Sequence, residues 1–148
     1  MTAASLTGHC LCGAVTIRVE GAHDPRVGAC HCRMCQRWSG GLFLCFTAPA
    51  ASVTVEGPVA RFRSSSFAER AFCATCGSHL WFNDVVEGGE PKDYELMPGL
   101  FDEAKDWPMR SEIYVDRAPA YLRLAGDHAR KTRAEYESHN PHIEGDAP

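Results

Sequence analysis

In Cys73-Ala74-Thr75-Cys76-Gly77, two cysteines three apart are followed by a glycine. That is a metal knuckle: the turn aims both sulfurs at one point, and Gly77 accepts a positive φ. A second tight pair, Cys10-Leu11-Cys12, lies near the N-terminus. In an extended segment residues two apart point to the same side, so Cys10 and Cys12 can reach one ion. Two pairs make four thiolates, the closed tetrahedral set of a structural zinc. The expectation is one site built by Cys10, Cys12, Cys73 and Cys76, tying the start of the chain to its middle. The bland alternative is four unrelated buried thiols.

Between these pairs stands Cys30-His31-Cys32-Arg33-Met34-Cys35. Cys30, Cys32 and Cys35 combine both spacings and can converge on a second ion. Three protein ligands leave a fourth position open, the pattern of catalytic rather than structural zinc. Soft thiolates select zinc among the common divalent ions. The alternative is a second structural site closed by His31, His9 or His79. His31 points away from its two neighbours if the segment is extended, so a role outside the ligand set suits it better. The eighth cysteine, Cys45, sits alone in the apolar run Leu42 to Phe46 and reads as a small buried hydrophobe. His128, His139 and His142 fall in a polar stretch and read as solvated.

Composition sets the surroundings. The chain has 148 residues, 45% hydrophobic and 23% charged, which suits one globular domain rather than a disordered chain. The net charge of −4, with no Lys/Arg-rich stretch, argues against nucleic acid as a partner. No apolar run approaches the ~20 residues of a membrane span, and Met1 to His9 lacks the features of an export signal. The expected compartment is the cytoplasm, where clustered thiols hold metal or do chemistry rather than form disulfides.

Period-two alternation marks strands at Ala14 to Glu20, around Val53 and Val55, and from Glu112 to Asp116. Leu42 to Phe46, Val59 to Arg63 and His79 to Phe82 read as further short strands. Gly57-Pro58 marks a turn, and Asp84 to Lys92 a surface loop. Helical periodicity is weak: Met34 to Ser39 could make one turn, and Arg130 to Glu137 is helix-friendly without an apolar stripe. Many short strands punctuated by Gly and Pro predict an all-β domain of antiparallel strands over residues 5–126. Residues 127–148 read as a polar C-terminal tail, mobile or docked on a neighbour.

The quoted cysteine segments resemble the glutathione-dependent formaldehyde-activating family, which also contains centromere protein V. Gly8-His9-Cys10-Leu11-Cys12-Gly13-Ala14-Val15 is similar to the family's opening segment. Cys30-His31-Cys32 to Cys35, with Arg37, Ser39 and Gly40, is similar to its Cys-His-Cys-x-x-Cys segment. Phe62-Arg63-Ser64-Ser65 and Arg70-Ala71-Phe72-Cys73 to Ser78 resemble its second half, and Pro98-Gly99-Leu100-Phe101-Asp102 its closing part. Trp38 stands where the family usually has a smaller residue, and Tyr121 where its domain ends on an aromatic, often Trp. The resemblance implies a β-tent zinc-binding fold with two zinc ions per chain. It also implies carbon–sulfur lyase chemistry on S-hydroxymethylglutathione.

On this reading the Cys30, Cys32 and Cys35 group, with His31 as the titratable side chain among them, is the catalytic set. The substrate is glutathione or another small thiol carrying an aldehyde. Glutathione has two carboxylates, so cations are needed beside the site; Arg33 and Arg37 lie in the metal loop itself, Arg63 and Arg70 further off. The rival reading is a zinc-stabilised binding module without catalysis. A homo-oligomer is compatible with either.

Overall fold

In the computed structural model the described residues are 1–143, and they divide into two compact units. The first comprises Met1–Pro25 and Cys45–Trp107; the second comprises Arg26–Leu44 and the chain from Pro108 onward. The strands, in chain order, are β1 (Leu6–His9), β2 (Thr16–Val19), β3 (Val27–Cys30), β4 (Phe43–Pro49), β5 (Val53–Glu56) and β6 (Val59–Arg63). They continue with β7 (Ala68–Cys73), β8 (His79–Asp84), β9 (Asp93–Leu96), β10 (Met109–Ile113) and β11 (Ala129–Lys131). Two short α-helices, α1 (Arg33–Ser39) and α2 (Arg133–Ser138), and a few 3-10 turns complete the elements, so the chain is an all-β protein as expected. No helix among the described residues is long and apolar enough to cross a membrane.

The first unit carries the apolar core. β1, β2 and β5 form one antiparallel sheet, and β4, β9, β8, β7 and β6 follow one another in a second. The alternation in β2 works as read: Ile17 and Val19 are fully buried while Thr16 and Arg18 are not. Phe46, Leu80 and Leu96 join them with no exposed surface. Each such side chain contributes about 1.5–3 kcal/mol by leaving water. The Phe46 ring meets Phe101 and Trp107 edge-on, at centroid separations of 5.3 and 5.0 Å. Phe62, the large apolar residue of β6, is exposed.

The second unit is different in kind. β3 pairs with β10 and β10 with β11, in both cases parallel, so the antiparallel expectation holds only for the first unit. No hairpin joins these strands, so no tight turn dictates their direction. The buried apolar side chains here are Val27, Ala29, Phe43 and Tyr114, joined by Cys32 and Cys35 and by the polar His31 and Glu112. The stretch read as a polar tail contributes β11 and α2 to this unit, up to the last described residue, Ile143. The remainder of that stretch lies outside the described residues. A capping box starts α2: the Thr132 hydroxyl accepts from the Glu135 N–H, and the Glu135 carboxylate accepts from the Thr132 N–H.

Several differences from the sequence reading have local causes. Cys10 and Cys12 lie in a turn after β1, not in a strand. β4 runs on to Pro49, and Leu44 and Cys45 within it are only half-buried. β10 ends at Ile113 because Tyr114 turns into the left-handed region, at φ 57° and ψ 42°.

Candidate metal centres

The sulfurs of Cys10, Cys12, Cys73 and Cys76 all lie within 4.8 Å of one another. Two of the separations are 3.6 Å, Cys10 to Cys12, and 3.9 Å, Cys12 to Cys73. A tetrahedral zinc with 2.3 Å bonds to sulfur requires about 3.8 Å between sulfurs, so this donor set fits the ion. Two turns bring the set together. Gly13 donates its N–H to the Cys10 carbonyl at 3.0 Å, and Gly77 donates to the Cys73 carbonyl at 2.8 Å. Their φ values, 78° and 77°, are the left-handed conformation that glycine adopts without penalty. Backbone N–H groups then point at sulfur: Val15 to Cys10 at 3.2 Å and Cys76 to Cys73 at 3.5 Å. Ser78 links the two knuckles, its hydroxyl accepting from Leu11 N–H at 3.0 Å and standing 3.1 Å from the Cys76 sulfur. Hydrogen bonding from Ser78 lowers the Cys76 thiol to about 5.

The sulfurs of Cys30, Cys32 and Cys35 form a separate group, again mutually within 4.8 Å. Cys30 ends β3, Cys32 caps α1, and Cys35 lies one turn into that helix. The Cys32 sulfur accepts the Cys35 N–H at 3.4 Å, and the Cys30 sulfur accepts the Cys32 N–H at 3.5 Å. The helix is closed by Gly40, which donates to the Gln36 carbonyl. Hydrogen bonding with Cys32 and Cys35, then burial, pushes the Cys30 thiol well above its ordinary value. At Cys32 the hydrogen bond with Cys30 favours the thiolate, but Cys35 and burial outweigh it and the thiol is pushed up to about 11. Three thiols this close resist shared ionisation; a divalent cation between them removes that resistance.

Arg33 and Arg37 are both exposed and stand four apart on α1, hence on one face of the helix. Cys45 belongs to neither sulfur group. Cys45→Ala should therefore keep the metal content of the wild type, as measured by elemental analysis. Loss of one equivalent would make Cys45 a ligand.

His31 is 1% exposed, and its Nε2 is 2.7 Å from Glu112 Oε1. The other Glu112 oxygen accepts from His128 Nε2 and, at 3.1 Å, from Arg130 Nε. His128 is thus not solvated: its side chain is 3% exposed and stands on Glu112. Sequence reasoning missed Glu112 and His128 as partners of the metal loop. The alternation from Glu112 to Asp116 set Ile113 and Val115 as the apolar face, but Glu112 and Tyr114 are the buried residues and Ile113 and Val115 only half-buried, so the pattern carried no signal for Glu112. Burial alone would raise the Glu112 carboxyl, but the hydrogen bonds from His128 and His31 outweigh it and hold the group below its ordinary range. A depressed carboxyl stabilises the fold above its unfolded pKa of about 4.3, and that stabilisation is lost as pH falls through the folded value. The stability difference between wild type and Glu112→Gln, read from denaturant unfolding, should accordingly be largest near neutrality and shrink on acidification below about pH 4. A difference independent of pH would show that the carboxyl is not ionised in the fold.

Fold and site together define a small all-β protein with two separate cysteine clusters, each able to hold a metal ion. Residues 5–117 match the family described as glutathione-dependent formaldehyde-activating enzyme, and the chain belongs to it. The chain is 32% identical over 113 residues to a Schizosaccharomyces pombe protein named as an uncharacterized lyase, covering 76% of this chain and 80% of the relative. It is 26% identical over 123 residues to a Halomonas elongata protein provisionally named as a glutathione-dependent formaldehyde-activating enzyme, covering 69% and 78%. A crystal structure of a Rhodobacter sphaeroides protein shares the fold, with a TM-score of 0.53 at 23% identity, over 70% of this chain and 98% of the other.

Proposed function

We propose that the protein is a zinc-dependent carbon–sulfur lyase-type enzyme that forms or cleaves the adduct of glutathione, or another small thiol, with an aldehyde such as formaldehyde. The observation that carries this reading is the gathering of Cys30, Cys32 and Cys35 into a three-sulfur group beside a helix that presents two arginines. Family membership and the names of both relatives point the same way.

The proposed centres are a four-thiolate zinc at Cys10, Cys12, Cys73 and Cys76 and a three-thiolate zinc at Cys30, Cys32 and Cys35. The first is structural. Zinc at the second supplies a resting place for the substrate sulfur as thiolate, the reactive form. Arg33 and Arg37 offer guanidinium groups to the substrate carboxylates. In the forming direction the thiol loses its proton, the sulfur lone pair attacks the aldehyde carbon, and the carbonyl π pair moves to oxygen. That oxygen takes up a proton, so a carbon–sulfur bond forms with no net change in protons. His31 was a candidate for the proton transfer on sequence grounds. Its burial and its engagement with Glu112 suit it to positioning the loop instead. A glutathione-rich cytoplasm is the setting this chemistry requires. The test is NMR magnetisation exchange on a formaldehyde–glutathione mixture: the protein should accelerate exchange between free and adduct forms, and an unchanged rate overturns the reading.

A further inference from the structure

The family match ends at residue 117, yet the chain beyond it supplies the partners of a network that reaches the three-cysteine loop. His31, the residue between Cys30 and Cys32, is fixed at three points. Its N–H donates to the Ile113 carbonyl at 3.1 Å. Its own carbonyl accepts from Gln36 Nε2 at 2.6 Å, and the same amide reaches the Arg117 carbonyl at 2.9 Å. Its ring donates to Glu112. Glu112 is ionised at neutral pH and can only accept, so its second oxygen needs donors of its own; these are His128 and Arg130. Arg130 is in turn held by the carbonyls of Leu124 and Gly126, at 3.1 and 3.0 Å.

A second strand of contacts runs beside the first. Tyr114 is 1% exposed and the one non-glycine residue with positive φ among those described. A tyrosine in that conformation costs on the order of 1 kcal/mol or more and persists where its surroundings hold it. Its hydroxyl donates to Glu137 of α2 at 2.9 Å, and its ring packs on Tyr136 at a centroid distance of 5.8 Å. Arg133 N–H donates to Asp116 at 2.7 Å. β11 and α2 therefore grip β10 and the turn after it, residue by residue.

We propose that residues 128–137 form a positioning clamp for the three-cysteine loop, in which His128 acts through Glu112 and His31 to hold the Cys30 and Cys32 sulfurs at ligand spacing. The proposal rests on the reading of Cys30, Cys32 and Cys35 as a metal site. A residue fixed in both backbone and side chain leaves its two neighbours little freedom, because they share its peptide planes. Groups bonded directly to a metal ligand typically change metal affinity by about 10–100-fold when removed, and His128, acting through Glu112 and His31, should have a smaller effect. The polar composition of the stretch, which hides it as a tail in the sequence, is what a buried carboxylate requires of its covering segment.

The test uses full-length zinc-loaded protein and a chromophoric chelator in excess, with zinc release followed in time. The wild type should release two equivalents in two phases, and Cys32→Ser should abolish the faster one. His128→Ala should accelerate that faster phase several-fold and leave the slower phase, from the four-cysteine site, unchanged. His128→Gln, whose amide nitrogen stands near the position of Nε2, should restore much of the wild-type rate. Arg130→Ala, at a partly exposed side chain, should show a smaller acceleration and keeps the comparison available if His128→Ala does not fold. An unchanged faster phase in the alanine variants overturns the clamp. Equal acceleration by His128→Ala and His128→Gln also overturns it, because lost packing rather than a lost hydrogen bond would then be the cause. A wild type that holds one equivalent, unaffected by Cys32→Ser, overturns the metal reading itself, a result distinct from either of the others.

Discussion

Cys73→Ser should yield insoluble or molten protein. Apparent zinc binding energies in small structural sites are on the order of 10 kcal/mol, comparable to the whole stability of a domain this size. Cys73 is fully buried and belongs to the same apolar cluster of the first unit as Val15, Leu80 and Leu96. A serine hydroxyl there removes one ligand and puts a polar group among hydrocarbon. The loss also spreads: the Cys73 carbonyl closes the knuckle through Gly77, and β7 ends at this residue. Far-UV and near-UV circular dichroism with metal analysis would read the result. A folded Cys73→Ser protein with unchanged thermal midpoint and full metal content would show that the four cysteines do not act as one site.

Cys32→Ser should behave in the opposite way, folding but losing thiol chemistry. Cys32 lies in the second unit and is not a member of the apolar cluster that stabilises the first. Serine also keeps an oxygen at the N-cap of α1, where the Cys32 sulfur accepts the Cys35 N–H, and serine is among the favoured capping residues. The expected protein is soluble, retains one zinc, and no longer accelerates adduct exchange in a formaldehyde–glutathione mixture. Thiol binding by the wild type should tighten as pH rises towards the free thiol's pKa near 8.5, and Cys32→Ser should lose that dependence. Equal exchange rates for wild type and variant would remove the three-sulfur site from the reaction and leave the non-catalytic binding module as the reading to pursue.

The cysteine groups were legible because their geometry is local. Cys73 to Gly77 and Cys30 to Cys35 each form within six residues, so spacing alone limits where the sulfurs can go. Pairing Cys10 and Cys12 with Cys73 and Cys76 needed only the valence of a closed site. The strand β2 was equally readable, since alternation reports a face buried against any partner. The path to convergence was less readable: Cys10-Leu11-Cys12, expected to be extended, brings its sulfurs together through a turn at Gly13.

What the sequence by itself determined is the all-β class and the two sulfur groups; of the helix after Cys32 it offered a single turn at Met34 to Ser39, where the fold has Arg33–Ser39. What only the tertiary structure decided is the surroundings of the second group: the parallel pairing of β3, β10 and β11, the left-handed turn at Tyr114, and the line from His128 through Glu112 to His31. His31 and Glu112 are 81 residues apart, and Glu112 and His128 are 16 apart. Contacts at such separations leave no period in the chain, because a buried carboxylate accepts from whatever donors the folded chain brings to it, and their identity is fixed by position in space rather than by spacing along the backbone.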